Sequence, residues 1–599
     1  MFGSVSIPNR RFQLILIKPS HYDDDGYVIQ WLRSLIPSNS LAVLYGLATD
    51  ATRRQVLGAD VALDITPIDE THTRVNPKRI IARLKRHGGL GLVGLVGVQS
   101  NQFPRALDIA RPLRAAGVPV IIGGFHVSGC LAMLSEMPSD LRAALDMGIS
   151  LFAGEAEQRF DTVLRDAASG SLRPIYNFLN DLPAVESAPI PYLPRRHINR
   201  TAGKYSTFDA GRGCPYQCSF CTIINVQGRK SRGRSPDDVE QIIRQNWAEG
   251  IDRVFITDDN FARNKDWESI LDRIIRLRID ERISLKLIIQ VDTLSHKIPN
   301  FVEKCVMAGV VRVFIGLESI NPDNLIAAKK RQNKITEYRN LLLAWKRSGV
   351  TVFVGYILGF PHDTPESIRR DIAIIQSELP IDIIEFFVLT PLPGSEDHQV
   401  LWRRGVPMDA DMNRFDGEHV VTAHATMTRE QWEEIYRVAW DVYYSPEHLE
   451  RVIRRTAATG GELGSLTKWL LFLCGFYQAE GIHPYQGGIL RVKHRRGRRP
   501  GLPKEPAWRF YPKYFFEMVR KLQMLARTGW RLYRLKRKIE SAPDRLSYQD
   551  EALLWAANDE LQSLQLFNQT EAARNAVRHV RAIERLTGRQ RGTEAVEAG

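Results

Sequence analysis

Two long stretches of this 599-residue chain alternate short apolar runs with helix-length segments, and that alternation leaves few folds open. In the first, residues 13–17, 56–65, 92–98, 119–122 and 149–153 read as strands, and 41–49, 77–87, 104–116 and 155–168 as helices. In the second, strands are expected at 207–212, 253–257, 285–290, 311–317, 351–358 and 383–389, with helices at 236–249, 266–279, 298–308, 336–348 and 365–377. Strands that alternate with helices build parallel sheets covered by helices. The chain is therefore expected to be α/β. A doubly wound domain over 1–170 precedes a linker over 171–206, where Pro174, Pro183, Pro189, Pro191 and Pro194 oppose regular helix. A second parallel unit over 207–400 and a mainly helical region over 401–599 follow. Ligands of such sheets bind beyond the carboxyl ends of the strands.

The loop after the first strand of the second unit carries Gly213-Cys-Pro-Tyr-Gln-Cys-Ser-Phe-Cys221. Three thiolates at this spacing, Cys214, Cys218 and Cys221, can hold three corners of a [4Fe–4S] cluster. The fourth iron has no ligand from this loop and is open to a small molecule. A closed zinc site wants four ligands, usually as two pairs, and the remaining cysteines, Cys130, Cys305 and Cys474, are isolated. Six cysteines in 599 residues are too sparse for a disulfide framework.

The cysteine loop, with Phe220 directly before its third cysteine, resembles that of the radical S-adenosylmethionine (radical SAM) superfamily. The resemblance implies a partial (β/α)₆ barrel whose open iron chelates S-adenosylmethionine and cleaves it reductively to a 5′-deoxyadenosyl radical. It implies a reductant partner such as flavodoxin or ferredoxin. The glycine-bearing loops of the first unit are 97–102 with Ser100, 123–128 with Gly123, Gly124, His126 and Ser128, and 154–157 with Glu155. Placed ahead of a radical SAM loop, they resemble the cobalamin-binding domain of a large subfamily. The D-x-H-x-x-G motif that supplies a histidine to cobalt is absent, since Asp69-Glu-Thr-His72 does not fit it. Cobalamin is thus expected without that ligand, and His126 is expected to be structural or near the nucleotide tail.

Within the barrel the resemblance implies further cofactor contacts. Asp258, Asp259 and Asn260 end the second strand at the position that holds the amino group of S-adenosylmethionine; the two carboxylates could instead cap the next helix. Gln290 and Asp292 end the third strand and face the substrate or ribose. Glu318 ends the fourth strand, beside Ser319 as an N-cap. Gly355, Ile357 and Gly359 form the adenine-contacting end of the fifth. Together these imply a methyltransferase in which one S-adenosylmethionine methylates cobalamin and a second opens an unactivated carbon for methyl transfer. The alternative is an oxidative cyclase or ring-rearranging enzyme with the same cofactors. A methylthiotransferase would need a second cysteine trio in the first unit. A non-catalytic Fe–S sensor or RNA- or membrane-binding protein is the reading from a different class.

Composition adds one asymmetry. Residues 491–540 hold 17 Lys and Arg against 3 Asp and Glu, so this segment alone equals the net charge of +14. Its loop 493–500 reads as solvated or anion-binding, and its helix over 514–539 interleaves Trp530, Leu532 and Tyr533 with Arg531 and Arg534. Such a helix is a solvated face, a contact with a membrane surface, or, less expected, a nucleic-acid footprint. A small-molecule or lipid substrate suits the chain. Its apolar runs are too short to span a bilayer, and no signal peptide is visible, so a cytoplasmic protein, peripheral at most to the membrane, is expected. Thr428-Arg-Glu-Gln431 is a capping box opening a helix whose Trp432, Tyr436 and Trp440 are expected to pack on the barrel. The stretch 547–599 is expected to be helix followed by a disordered end.

Overall fold

The structure, a computed structural model, describes residues 10–554 and 563–587. The end of the stretch 547–599, whose tail is expected to be disordered, lies outside them from residue 588 on. Six parallel strands form the N-terminal sheet in the order Val61–Asp69, Arg10–Lys18, Gly91–Leu95, Val120–Gly123, Ser150–Ala153 and Ile175–Asn177. Successive side chains of a strand face opposite sides, and the second strand in this order feeds two cores. Its Phe12, Leu14 and Leu16 pack with Leu41, Leu47 and Phe160 on one face, and Ile15 and Ile17 with Ile80, Phe103 and Leu141 on the other. That is the doubly wound arrangement.

Two N-terminal expectations are corrected. The strand expected from 56 begins at Val61, because Gln55 and Gly58 take left-handed backbone angles (φ 52° and 98°) that end the preceding helix in a turn. The segment expected to be a linker contains the last strand, Ile175–Asn177. Pro174 begins it without cost, since an edge strand needs its ladder on one side only, and the Pro174 carbonyl accepts from Leu151 N at 2.8 Å.

The second sheet runs in chain order: Ser206–Phe208, Arg253–Ile256, Lys286–Val291, Val310–Glu318, Thr351–Leu358 and Ile383–Val388. Each strand pairs in parallel with its sequence neighbours alone, so the barrel is open. The strand expected over 207–212 ends at Phe208. Gly211–Arg212 instead pairs antiparallel with Arg232–Gly233 and closes the base of the cysteine loop.

The helix Arg429–Tyr443 starts at the expected capping box and buries Trp432, Tyr436 and Trp440. Helix Leu463–Leu470 covers the amino end of the barrel, where Trp469 stands 5.3 Å from Phe353 and under the Arg312 guanidinium at 4.2 Å. The chain then returns to the N-terminal domain: Gly488–Arg491 pairs antiparallel with Trp31–Ser34. Two charges of the loop expected to be solvated or anion-binding, and Arg491 ahead of it, are instead ion-paired there. Arg491 pairs with Asp23, Arg499 with Asp411 and Lys493 with Glu517, acids remote in sequence. The basic helix is longer than expected, Ala507–Glu540. Among the described residues no helix is long and apolar enough to cross a membrane.

Candidate active site

The cysteine loop is fixed by backbone contacts. Gly213 has φ +90°, and a Cβ there would lie 2.5 Å from the Lys230 carbonyl, so the turn into Cys214 requires glycine. Cys214 N donates to Gly228 O at 3.2 Å and Ser219 N to Ala328 O at 3.0 Å. Burial, and then the neighbouring Cys218, push the Cys214 thiol up to about 11 and the Cys221 thiol up to about 12. Three crowded, desolvated sulfurs favour thiolates only when a metal takes up their charge. Yet among the described residues no three Cys, His, Asp or Glu side chains converge on a point fit for a single metal ion. The three thiols stand on one loop at the spacing of cluster ligands.

Side chains from other strands hold this loop. Tyr216 donates its hydroxyl to Asp292 Oδ2 at 3.0 Å, and Asp292 also accepts from Arg263 Nε (2.5 Å) and Asn260 Nδ2 (2.9 Å). Gln332 Nε2 donates to Cys218 Sγ at 3.4 Å. The Lys330 ammonium lies 5.6 Å over the Phe220 ring and pairs with Glu318. Glu318 has φ +63° beside a register shift in its strand, a strained conformation of the kind found at functional sites.

The adjacent carboxylates have different roles. Asp258 accepts from Ala210 N at 2.6 Å and Asn264 Nδ2 at 3.1 Å, bracing the chain as it enters the cysteine loop. Its side chain is thereby committed to the protein, which corrects its expected place at the cofactor, and it is no helix cap. Asp259 makes no side-chain ion pair, and burial pushes its carboxyl up to about 7. Asp258→Ala would leave the buried Ala210 N–H unsatisfied, a loss of about 1–3 kcal/mol, read as a lower melting temperature. Gln290 donates to the Asp258 carbonyl at 3.2 Å. A Cβ on Gly355 would meet the Phe314 ring at 2.9 Å, and one on Gly359 (φ +100°) would overlap Trp432, which donates to Leu358 O at 3.1 Å. Ile357 lines the cavity above the barrel with Phe220, Phe387 and Leu389.

In the N-terminal domain, Ser100, Gly123, Gly124, Ser128 and Glu155 all gather at the carboxyl edge of the sheet. Gly123, Gly124, Ser128 and Glu155 line an apolar cavity against Leu14, Leu92 and Phe160. Gly124 (φ +148°) lies against the Val98 backbone, where no Cβ fits. His126 is buried with both ring nitrogens engaged, Nδ1 with Ser100 Oγ at 3.1 Å and Nε2 with Asp140 Oδ2 at 2.9 Å. It is structural and takes no ligand position. Glu155 pairs with Arg232 and with Arg212 (2.7 Å), and Arg212 also pairs with Glu157 (2.6 Å) and Asp209 (2.9 Å). This buried hub ties the loop after Ser150–Ala153 to the two-stranded ribbon at the base of the cysteine loop.

Between the two sheets runs a second cavity, bounded by Ser34, Asn39, Asn101, Thr207, Thr257 and Gln486. Each of these six side chains has a buried oxygen without a hydrogen-bond partner. Buried polar atoms in native proteins are nearly always paired. Six such atoms around one cavity leave it able to take water or a polar ligand.

Residues 210–375 match the Radical SAM superfamily. These residues carry a radical SAM domain. The chain is 25% identical over 381 residues to bacteriochlorophyllide d C-8(2)-methyltransferase of Chlorobaculum tepidum, a match covering 60% of this chain and 79% of that one. It is 26% identical over 294 residues to hopanoid C-2 methylase of Rhodopseudomonas palustris, covering 48% of this chain and 53% of that one. The chain thus spans about half the length of the second relative. Its fold is that of the cobalamin-dependent S-adenosylmethionine radical enzyme OxsB solved with aqua-cobalamin and S-adenosylmethionine: TM-score 0.51, 14% identity, 94% of this chain and 84% of that one. The groups missed in the sequence are those that hold the cysteine loop from afar. Lys330 and Gln332 lie in a run, Lys329-Lys-Arg-Gln-Asn-Lys334, that looks like any solvated loop. Arg212 carried no local signal at all.

Proposed function

We propose that this radical SAM protein is a cobalamin-dependent methyltransferase acting on an unactivated carbon of a small-molecule or lipid substrate. The observation that carries the reading is the set of orphaned polar atoms between the two sheets, because it offers hydrogen-bond partners to a polar ligand there. The methyltransferase and methylase relatives support methyl transfer as the outcome.

When bound, a [4Fe–4S] cluster with S-adenosylmethionine supplies the 5′-deoxyadenosyl radical and cobalamin supplies the methyl group. Cys214, Cys218 and Cys221 would hold three of the cluster's irons. Asp259 and Glu318 offer carboxylates at the strand ends to the cationic end of S-adenosylmethionine. The chain from Gly355 to Gly359 gives its backbone to the adenine. The apolar cavity beneath Gly123 and Gly124 would receive part of cobalamin, and Asn101, Thr207 and Thr257 would offer it polar contacts. The Arg212 hub keeps water from the seam between the domains. Flavodoxin or ferredoxin is the proposed electron donor.

The test is anaerobic reconstitution with iron, sulfide and cobalamin, followed by S-adenosylmethionine and dithionite. The expected result is 5′-deoxyadenosine together with retained cobalamin. Well-reconstituted protein that forms no deoxyadenosine would sink the radical reading; cleavage without cobalamin uptake would sink the methyltransferase.

A finer expectation concerns Gln332. Its N–H bond to Cys218 sulfur stabilises the more negative, reduced cluster, since hydrogen bonds to the sulfurs set the potential. A hydrogen bond of about 0.5–1.5 kcal/mol corresponds to roughly 20–60 mV for one electron. Gln332→Leu should lower the midpoint potential by about that amount in an EPR-monitored titration.

A further inference from the structure

The helix Ala507–Glu540 carries ten Lys and Arg against Glu517 and Glu540, and it presents three distinct stripes. At 3.6 residues per turn, Phe510, Lys521, Thr528, Leu532 and Ile539 share one side and are buried against the body of the protein. Trp508, Tyr511, Phe515, Leu522, Trp530 and Tyr533 share the side facing away. All six are exposed, Trp508 by 78% and Phe515 by 63%. Between these sides runs a third stripe, Arg509, Arg520, Arg527, Arg531 and Arg534. All five are exposed, and among the described residues none makes an ion pair or side-chain hydrogen bond. This differs from Lys493 and Arg499 in the basic loop before it, which are paired with acids.

From Trp508 to Arg534 the two outer stripes run side by side over roughly 39 Å, at 1.5 Å per residue. A monomer rarely leaves so long an aromatic ridge in water. We infer that this helix lies in the plane of an anionic membrane leaflet, with the aromatic stripe at the headgroup–acyl boundary and the arginines on lipid phosphates. The charge pattern selects this occupant. A second copy of the same helix would set unpaired arginines against arginines, whereas an anionic leaflet neutralises the arginines and takes up the aromatic side chains together. Tryptophan and tyrosine are the residues that favour that interface. The inference stands on the helix alone and is independent of the proposed reaction.

The experiment is co-sedimentation of the full chain with vesicles of phosphatidylcholine, and of phosphatidylcholine with phosphatidylglycerol at about three to one. Binding is expected to the anionic vesicles, weakening with salt. The triple variant Trp508→Glu, Phe515→Glu, Trp530→Glu should bind them less by about tenfold or more, while melting at the wild-type temperature because these side chains touch solvent. Arg527→Glu with Arg531→Glu should give a similar loss and serves if the triple variant misfolds. No binding to anionic vesicles, or binding unchanged in the variants, overturns the inference. So does retention on a single-stranded RNA that survives the aromatic substitutions and fails with the arginine ones, since that would assign the stripe to nucleic acid.

Discussion

Cys218→Ala should give a folded protein that holds no intact cluster and forms no 5′-deoxyadenosine above background. Folding should survive because the loop is fastened elsewhere. Gly211–Arg212 pairs with Arg232–Gly233 at its base, and the backbone bonds of Cys214 and Ser219 do not involve the sulfur. The cluster should not survive, because Cys218 is the thiol next to both partners: it raises the Cys214 and the Cys221 thiols alike, and it is 8% exposed. With two thiolates left, a second iron joins the open one in having no protein ligand, and that labile corner exposes the whole cluster to loss. The check is iron and sulfide per chain after reconstitution, read beside deoxyadenosine formation and a thermal melt. A structural zinc site predicts the reverse, an unfolded variant and a wild type that never cleaves S-adenosylmethionine. Cys305→Ala is the matched control. That thiol lies in helix Phe301–Ala308 at 0% exposure, away from the loop, so its loss should lower the melting temperature and leave iron content intact.

The parts of this molecule that were legible in its sequence are the locally encoded ones. Strand–helix alternation is a property of ten to twenty neighbouring residues, so both parallel sheets could be read, and so could the Thr428 capping box. The cysteine spacing is local too, and it carries its chemistry with it. What escaped is pairing across distance. Ile175–Asn177 has three residues and no period of its own; it is a strand because Ser150–Ala153 offers it an edge. Gly488–Arg491 is defined by Trp31–Ser34, more than four hundred residues away. The loop at 493–500 looks solvated until Asp23, Asp411 and Glu517 are brought to it. Asp258 and Asp259 are chemically identical neighbours, and only the fold separates them: one side chain turns to the Ala210 amide, and the other stays without a side-chain partner near Gly213. Residue types told which groups could act; tertiary contacts decided which are free to.

Gly129→Ala should uncouple the two domains without stopping S-adenosylmethionine cleavage. Gly129 lies in helix Phe125–Met133, which leaves the first sheet directly after Gly123 and Gly124. Its α-carbon abuts the loop that closes the sixth barrel strand. A Cβ there would overlap the Pro393 carbonyl and lie 2.8 Å from Gly394 Cα. Both neighbours are backbone, so neither can rotate away. Gly394 is itself pinned, with φ +102° and its carbonyl accepting from Asn225 Nδ2 at 2.9 Å. A methyl group must therefore be accommodated by parting helix from loop, which carries Gly124 and Ser128 away from the barrel. The cysteine loop and the barrel strand ends lie wholly on the other side of that seam, so deoxyadenosine formation should be retained. Transfer between S-adenosylmethionine and cobalamin, which spans the seam in the proposed reaction, is sensitive to position: a misplacement of about 1 Å can cost about 10²-fold. The measurement is S-adenosylhomocysteine formed in a single turnover against deoxyadenosine from the same sample. A ratio falling by about that factor is expected, with Gly129→Val lower still. An unchanged ratio in both variants would mean that this contact does not set the spacing between the two halves of the site. Parallel loss of both products, with a lower melting temperature, would place Gly129 in the general fold instead of the coupling.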